Sequence, residues 1–171
     1  LVFLYFCHYA HNHGRAMDDL LWYPSKLHKF LCRKVQEFVE TDSGKSFSIL
    51  ILNTPPQVGK STTVTETFPV WWLMRNPDKG VIEVSYGDDL AERFGKANLE
   101  KLEQFGYIFG VKPDKKKATA REFQIAGHKG KMISKGYGSA LTGNTGNLIL
   151  IDDPVKNAVE ADSERDRDQG G

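Results

Sequence analysis

The sequence predicts an α/β fold with a central, mainly parallel sheet, and three stretches predict it. Residues 47–52, "FSILIL", are a continuous apolar run, the pattern of a strand covered on both faces. Residues 148–151, "LILI", repeat that pattern and end in two aspartates, and "VIEVSY" at 81–86 supplies a further strand between them. Helical patterns separate the three, and strands alternating with helices imply a parallel sheet.

Size and composition agree with one ordinary domain. The chain has 171 residues, 40% hydrophobic and 26% charged, enough to bury a core without staples. Its formal charge of +1 demands neither nucleic acid nor an anionic membrane as partner, leaving only a local basic patch to consider. Cys7 and Cys32 form no C-x-x-C and suggest no disulfide framework, so a reducing cytoplasm is expected. The opening "LVFLYF" is too short for a membrane span and lacks a basic leader; it reads equally as the truncated start of something longer. His8, His11 and His13 crowd "HYAHNH", but no second cluster completes a metal shell, and they read as a local surface feature.

Along the chain, "LHKFLCRKVQEFVE" sets Leu27, Leu31, Val35 and Phe38 at helical spacing. "SGKS" at 43–46 follows that helix and precedes the 47–52 strand, so Gly44 and Lys45 sit in a helix-to-strand turn. A second Gly-Lys-Ser lies in "NTPPQVGKST", residues 53–62, with the order reversed: strand, loop, helix. Only this order converges backbone N–H groups and a helix N-terminus on an anion. Thr54 stands where G-x-x-x-x-G-K-[ST] has its first glycine, and Pro55 and Pro56 are expected to stiffen the loop instead. Pro56, Gln57 and Val58 form the cradle and Gly59 admits close backbone approach. Lys60 reaches the β- and γ-phosphates, Ser61 is placed for Mg²⁺, and Thr62 adds a hydroxyl. "KSTTVTETFPVWWLM" reads as a helix opening at Lys60, in which Pro69 either kinks the helix or starts a second one.

Beyond the "NPDKG" turn and the 81–86 strand, Asp89-x-x-Glu92 has the spacing of a capping box, with Leu90, Phe94 and Ala97 on the buried face of the helix it opens. Lys112, Lys115, Lys116 and Lys117 read as a solvated loop. "REFQIAG" and "GKMISKGYG" form a hairpin or two sheet strands, and "GYGSALTGNTGN" either touches nucleotide or only connects strands. In "LILIDDP", Pro154 disfavours helix at the residue before it, so Asp152 and Asp153 sit at the strand's C-terminal edge, where open α/β sheets bind ligands. Alone, "DDP" is a strand cap; after a phosphate loop it is the carboxylate a magnesium site needs. Ser61 and Asp152 are then expected to face one another, close enough for one hydrated Mg²⁺. The charged tail reads as a helix that starts and is cut off. The expected architecture is a P-loop NTPase-type three-layer sandwich, truncated at its C-terminus. An N-terminal helical segment (1–45) packs on an incomplete ATPase core (46–171).

"PPQVGKST", "FPVWWLMRNPDKGVIEVSYGDDLA" and "ALTGNTGNLILIDDPVKN" followed by "EADSE" together resemble the ATPase domain of tailed-phage terminase large subunits, from about Tyr9 to Glu164. By that resemblance "PPQVGKST" is a Walker A loop in which a proline pair replaces the first glycine, and "LILIDDP" is Walker B. Asp152 would hold the Mg²⁺ shell and Asp153 would orient the attacking water. His28, in "YPSKLHKFL", would lie near adenine. The resemblance further implies ATP hydrolysis with Mg²⁺ to drive double-stranded DNA into procapsids, with terminase small subunit and portal protein as partners. It implies a homo-oligomeric ring, no membrane, and the host bacterial cytoplasm as location.

Two departures accompany it. The family often carries arginine where Gln57 stands, so the charge at the γ-phosphate comes from another arginine folded back, from a neighbouring subunit in a ring, or from nowhere; the neighbour is favoured, with Arg93 or Arg121 as candidates. The chain also stops before a further strand and the nuclease domain. Competing readings are another P-loop enzyme, such as a helicase or a small-molecule kinase, and a truncated prophage remnant that binds nucleotide without motor activity. The arginine-bearing lid of a kinase is missing after the carboxylate strand.

Overall fold

The computed structural model describes residues 2–15, 22–41, 47–139, 143 and 145–153. Strands β1 (Gly80–Ser85), β2 (Glu122–Gln124), β3 (Lys131–Gly136) and β4 (Leu148–Asp152) form one open sheet in the order β2-β3-β1-β4. β1 pairs in parallel with both β3 and β4, and β2 pairs antiparallel with β3. The sheet is therefore mainly parallel, and "REFQIAG" with "GKMISKGYG" forms a hairpin.

Register decides which side chains share a face. Val81, Glu83 and Ser85 of β1 lie beside Met132, Ser134 and Gly136 of β3, and beside Leu148, Leu150 and Asp152 of β4. Val81, Met132 and Leu148 are buried on that face with the helices packed against it. On the other face of β4, Ile149 and Ile151 are 60% and 62% exposed, so among the described residues no second layer of a three-layer sandwich covers them.

Helices α1 (Phe3–Asn12), α2 (Lys26–Glu40), α3 (Phe68–Arg75) and α4 (Asp88–Phe105) surround the buried ring of Trp71 and its neighbours. The opening run forms α1 because Phe3, Phe6 and Cys7 fall on one side and are fully buried. Phe3 meets Phe68 and Trp71 at ring distances of 5.3 and 5.0 Å, and Phe6 meets Phe105 at 5.8 Å. His11 stacks on Trp22 and His13 sits against Phe105, so these histidines take part in aromatic packing. In α2, Leu31, Cys32 and Val35 are buried while Leu27 and Phe38 are half-buried. Pro69 lies in the first turn of α3, where its missing N–H costs nothing, so it starts a second helix.

Three expectations are corrected. Residues 47–52 take no strand partner among the described residues: Phe47, Ile49 and Ile51 are 74%, 75% and 84% exposed, while Leu50 and Leu52 pack on the core. The run alternates outward and inward, yet it lines a 130 Å³ cavity together with Leu148 and Leu150 and does not add to the free edge of β4. The capping box at Asp89 and Glu92 does not form: Gly87 is the N-cap, without a side-chain cap. Asp88 instead accepts from Gly136 N–H and Ser139 Oγ, and Glu92 pairs with Arg121. Acidic residues in the first turn still favour the helix through its dipole. The buried face of α4 is Ala91, Phe94, Gly95, Asn98, Leu102 and Phe105, with Leu90 and Ala97 only half-buried at its margin. "SGKS", residues 140–142 and 144 of the glycine-rich loop, and the charged tail lie outside the described residues.

Candidate functional site

The loop after residues 47–52 turns sharply because two residues adopt left-handed backbone, Gln57 (φ 60°) and Gly59 (φ 77°). Glycine takes such a conformation freely, whereas a residue with a β-carbon is strained there. Thr54, at the place of the first motif glycine, is not left-handed, which is why a β-carbon is tolerated at that position. Loop residues 54–62, Asp152 and Asp153 line a cleft of about 500 Å³. Pro56, Gln57, Val58, Gly59, Lys60, Ser61 and Thr62 are thus gathered around one concavity at the C-terminal end of β4.

Lys60 leads into a π turn, Ser61–Thr65, closed by a hydrogen bond from Glu66 N–H to the Ser61 carbonyl. Such widened turns cluster at functional sites. The turn brings three groups onto the buried carboxylate of Asp152. Lys60 Nζ lies 2.9 Å from Oδ1, Thr65 Oγ1 donates to Oδ2 at 2.6 Å, and the Ser61 hydroxyl is near enough to favour the charged carboxylate. Burial pushes the Asp152 carboxyl up, but the hydrogen bonds from Thr65, Lys60 and Ser61 outweigh it and hold the group below its ordinary range. Ser61 and Asp152 line the same cleft. Asp153 follows in left-handed backbone (φ 49°) with its side chain exposed at the cleft.

His28 lies behind the loop. Its ring closes a capping box with Ser25 at the start of α2, and Trp22 packs edge-on at 5.3 Å. A β-carbon at Gly59 would sit 2.8 Å from His28 Nε2, so the imidazole touches the loop from outside the cleft. Neither arginine candidate lines the cleft: Arg121 is paired with Glu92, and Arg93 lies over the Phe94 ring.

Three residues of this region escaped the sequence reading: Thr65, Asn98 and Glu83. Thr65 lies four residues after Ser61, a spacing that puts two residues on one side of a helical turn. Asn98 is a polar residue within the apolar stripe of α4, and Glu83 is an acid in a strand of otherwise buried residues.

Fold and site together define a mixed α/β domain that presents a lysine, a hydroxyl and a carboxylate in one cleft at a strand end. Residues 51–169 match the family model described as terminase large subunit, T4likevirus-type, N-terminal; the chain belongs to this family. Membership points to a role in phage DNA packaging. No curated protein and no solved structure matches the chain.

Proposed function

We propose that the chain binds ATP with Mg²⁺ in this cleft and hydrolyses it to power the packaging of double-stranded DNA into procapsids. One observation carries this reading: Lys60 and Ser61, from a left-handed glycine turn, meet Asp152 at the end of a neighbouring strand. The donor set fits the ion, since Mg²⁺ takes hard oxygen ligands and keeps several waters, and a serine hydroxyl with one carboxylate leaves room for them. When bound, Mg²⁺ would neutralise charge on the phosphates. Ser61 and Asp152 would hold it. Lys60, now ion-paired with Asp152, would turn to the phosphates, and exposed Asp153 would orient the attacking water. His28 would flank the adenine side of the loop.

Phosphoryl transfer also needs positive charge at the γ-phosphate, typically worth about 10³–10⁵ in turnover when an arginine supplies it. Arg93 and Arg121 point elsewhere within this chain, which favours a neighbouring subunit in a ring as the donor. The same observation supports a second reading, in which the isolated chain binds nucleotide without turning it over. Titration with a fluorescent ATP analogue and phosphate release, measured separately, distinguish the two. Lys60→Ala should abolish binding and Lys45→Ala should leave it unchanged. The opposite pattern would place the nucleotide at the Gly-Lys-Ser of residues 44–46.

A further inference from the structure

The Thr65 hydroxyl lies 2.6 Å from the Asp152 carboxylate, closer than Lys60 at 2.9 Å. Thr65 is 1% exposed and donates to Oδ2, while Lys60 takes Oδ1. The two carboxylate oxygens are therefore divided between a buried hydroxyl and the cleft. Thr65 is itself fixed through its backbone. Its carbonyl accepts from Asn98 Nδ2 at 2.9 Å, and Asn98 Oδ1 accepts from Val70 N–H at 3.1 Å. The second hydrogen of that amide goes to the Phe94 carbonyl. Asn98 is fully buried, and a buried amide left unpaired would cost about 1–3 kcal/mol. Its side chain thus ties α4, the π turn and the start of α3 into one unit.

We propose that Thr65 is a positioning residue for Asp152, with Asn98 behind it: the hydroxyl pins Oδ2 so that Oδ1 faces the cleft. The functional consequence rests on the reading of the cleft as a Mg²⁺-nucleotide site; the pinning itself does not. Side chains that orient a metal-binding group typically change metal affinity by about 10–100-fold when removed.

The test compares Thr65→Val, which keeps the shape and loses the hydroxyl, with Thr65→Ser, which keeps the hydroxyl; Thr65→Ala replaces the valine variant should that one not fold. The first readout uses nucleotide-free protein: three-bond NMR couplings at the Asp152 β-protons. One side-chain rotamer is expected in wild type and Thr65→Ser, and averaging in Thr65→Val. A single unchanged rotamer in Thr65→Val overturns the proposal. The second readout is binding of fluorescent ADP with and without Mg²⁺. Thr65→Val should lose about tenfold or more of the Mg²⁺-dependent gain in affinity, with metal-free binding intact and Thr65→Ser close to wild type. Equal losses with and without Mg²⁺ would mean a merely structural role and overturn it too. Wild-type protein that bound no nucleotide at all would sink the nucleotide reading, and the coupling measurement would then decide the role of Thr65.

Discussion

Glu83 should make the stability of this protein depend on pH in a direction opposite to that of most carboxylates. It sits on the central β1 strand, fully buried, and accepts a short hydrogen bond from the Ser85 hydroxyl. Oε2 has no hydrogen-bond partner among the described residues; Ser134, its register neighbour on β3, acts on the carboxyl without closing a bond to that atom. Burial pushes the Glu83 carboxyl up to about 7 from an ordinary 4.5; the Ser85 and Ser134 hydroxyls work against the rise and the negative charge of Asp152 adds to it. The folded state therefore binds the Glu83 proton more tightly than the unfolded chain does. Its contribution is fully present below the unfolded value near 4.5 and is lost as pH rises through the folded value near 7. At about 1.4 kcal/mol per pH unit, wild type should lose about 2–3 kcal/mol between about pH 5 and about pH 8 from this group alone. Glu83→Gln keeps the acceptor for Ser85 and cannot ionise, so its stability should lack that decline. Urea unfolding followed by circular dichroism across this range measures the difference. Parallel stability curves for the two proteins would refute the argument, showing that Glu83 ionises in the folded state much as it does in water.

Gly59→Ala combines a left-handed backbone with a β-carbon against His28, so it should cost about 1–2 kcal/mol and weaken nucleotide binding. Adding His28→Ala should relieve only the contact, and full rescue of binding by the double variant would show that backbone strain is unimportant. Gly95→Ala drives a β-carbon of α4 into the Ala120 carbonyl and should destabilise by about 1–3 kcal/mol; an unchanged melting temperature would contradict that packing. Cys7 and Cys32 are free and buried, and burial and its neighbour Cys32 push the Cys7 thiol up, so neither should react with a thiol reagent until the protein is unfolded. Rapid labelling of the native protein would place them at the surface.

Much of the site was legible because its parts are local. The order of apolar run, glycine turn and helix marked residues 53–62, and an apolar run ending in aspartate marked β4. Strands β1 and β4, the hairpin and helices α2 and α4 follow from composition, turn residues and periodicity within a few residues of chain. The capping box does not form because its spacing is only local: Gly87 takes the N-cap, and Asp88 and Glu92 find partners at Gly136 and at Arg121, which sequence spacing does not register.

What the sequence by itself determined is the chemistry that can occur: one lysine and one hydroxyl after a glycine turn, and two aspartates at the end of an apolar run. The tertiary structure alone decided which of these groups meet and what surrounds them. Residues 47–52 could be read as apolar, but whether an apolar run joins a ladder depends on a free edge being reached, and here β4 ends the sheet without it. Glu83 became a raised carboxyl because folding buries it on the central strand and the β1–β4 register brings the charge of Asp152 to the same face, while Ser134 beside it works against the rise. Thr65 gained its bond to Asp152 across 87 positions of chain, held there by an asparagine on another helix. Such contacts depend on distances that folding creates between residues far apart in the chain, and no local pattern of residue types encodes them.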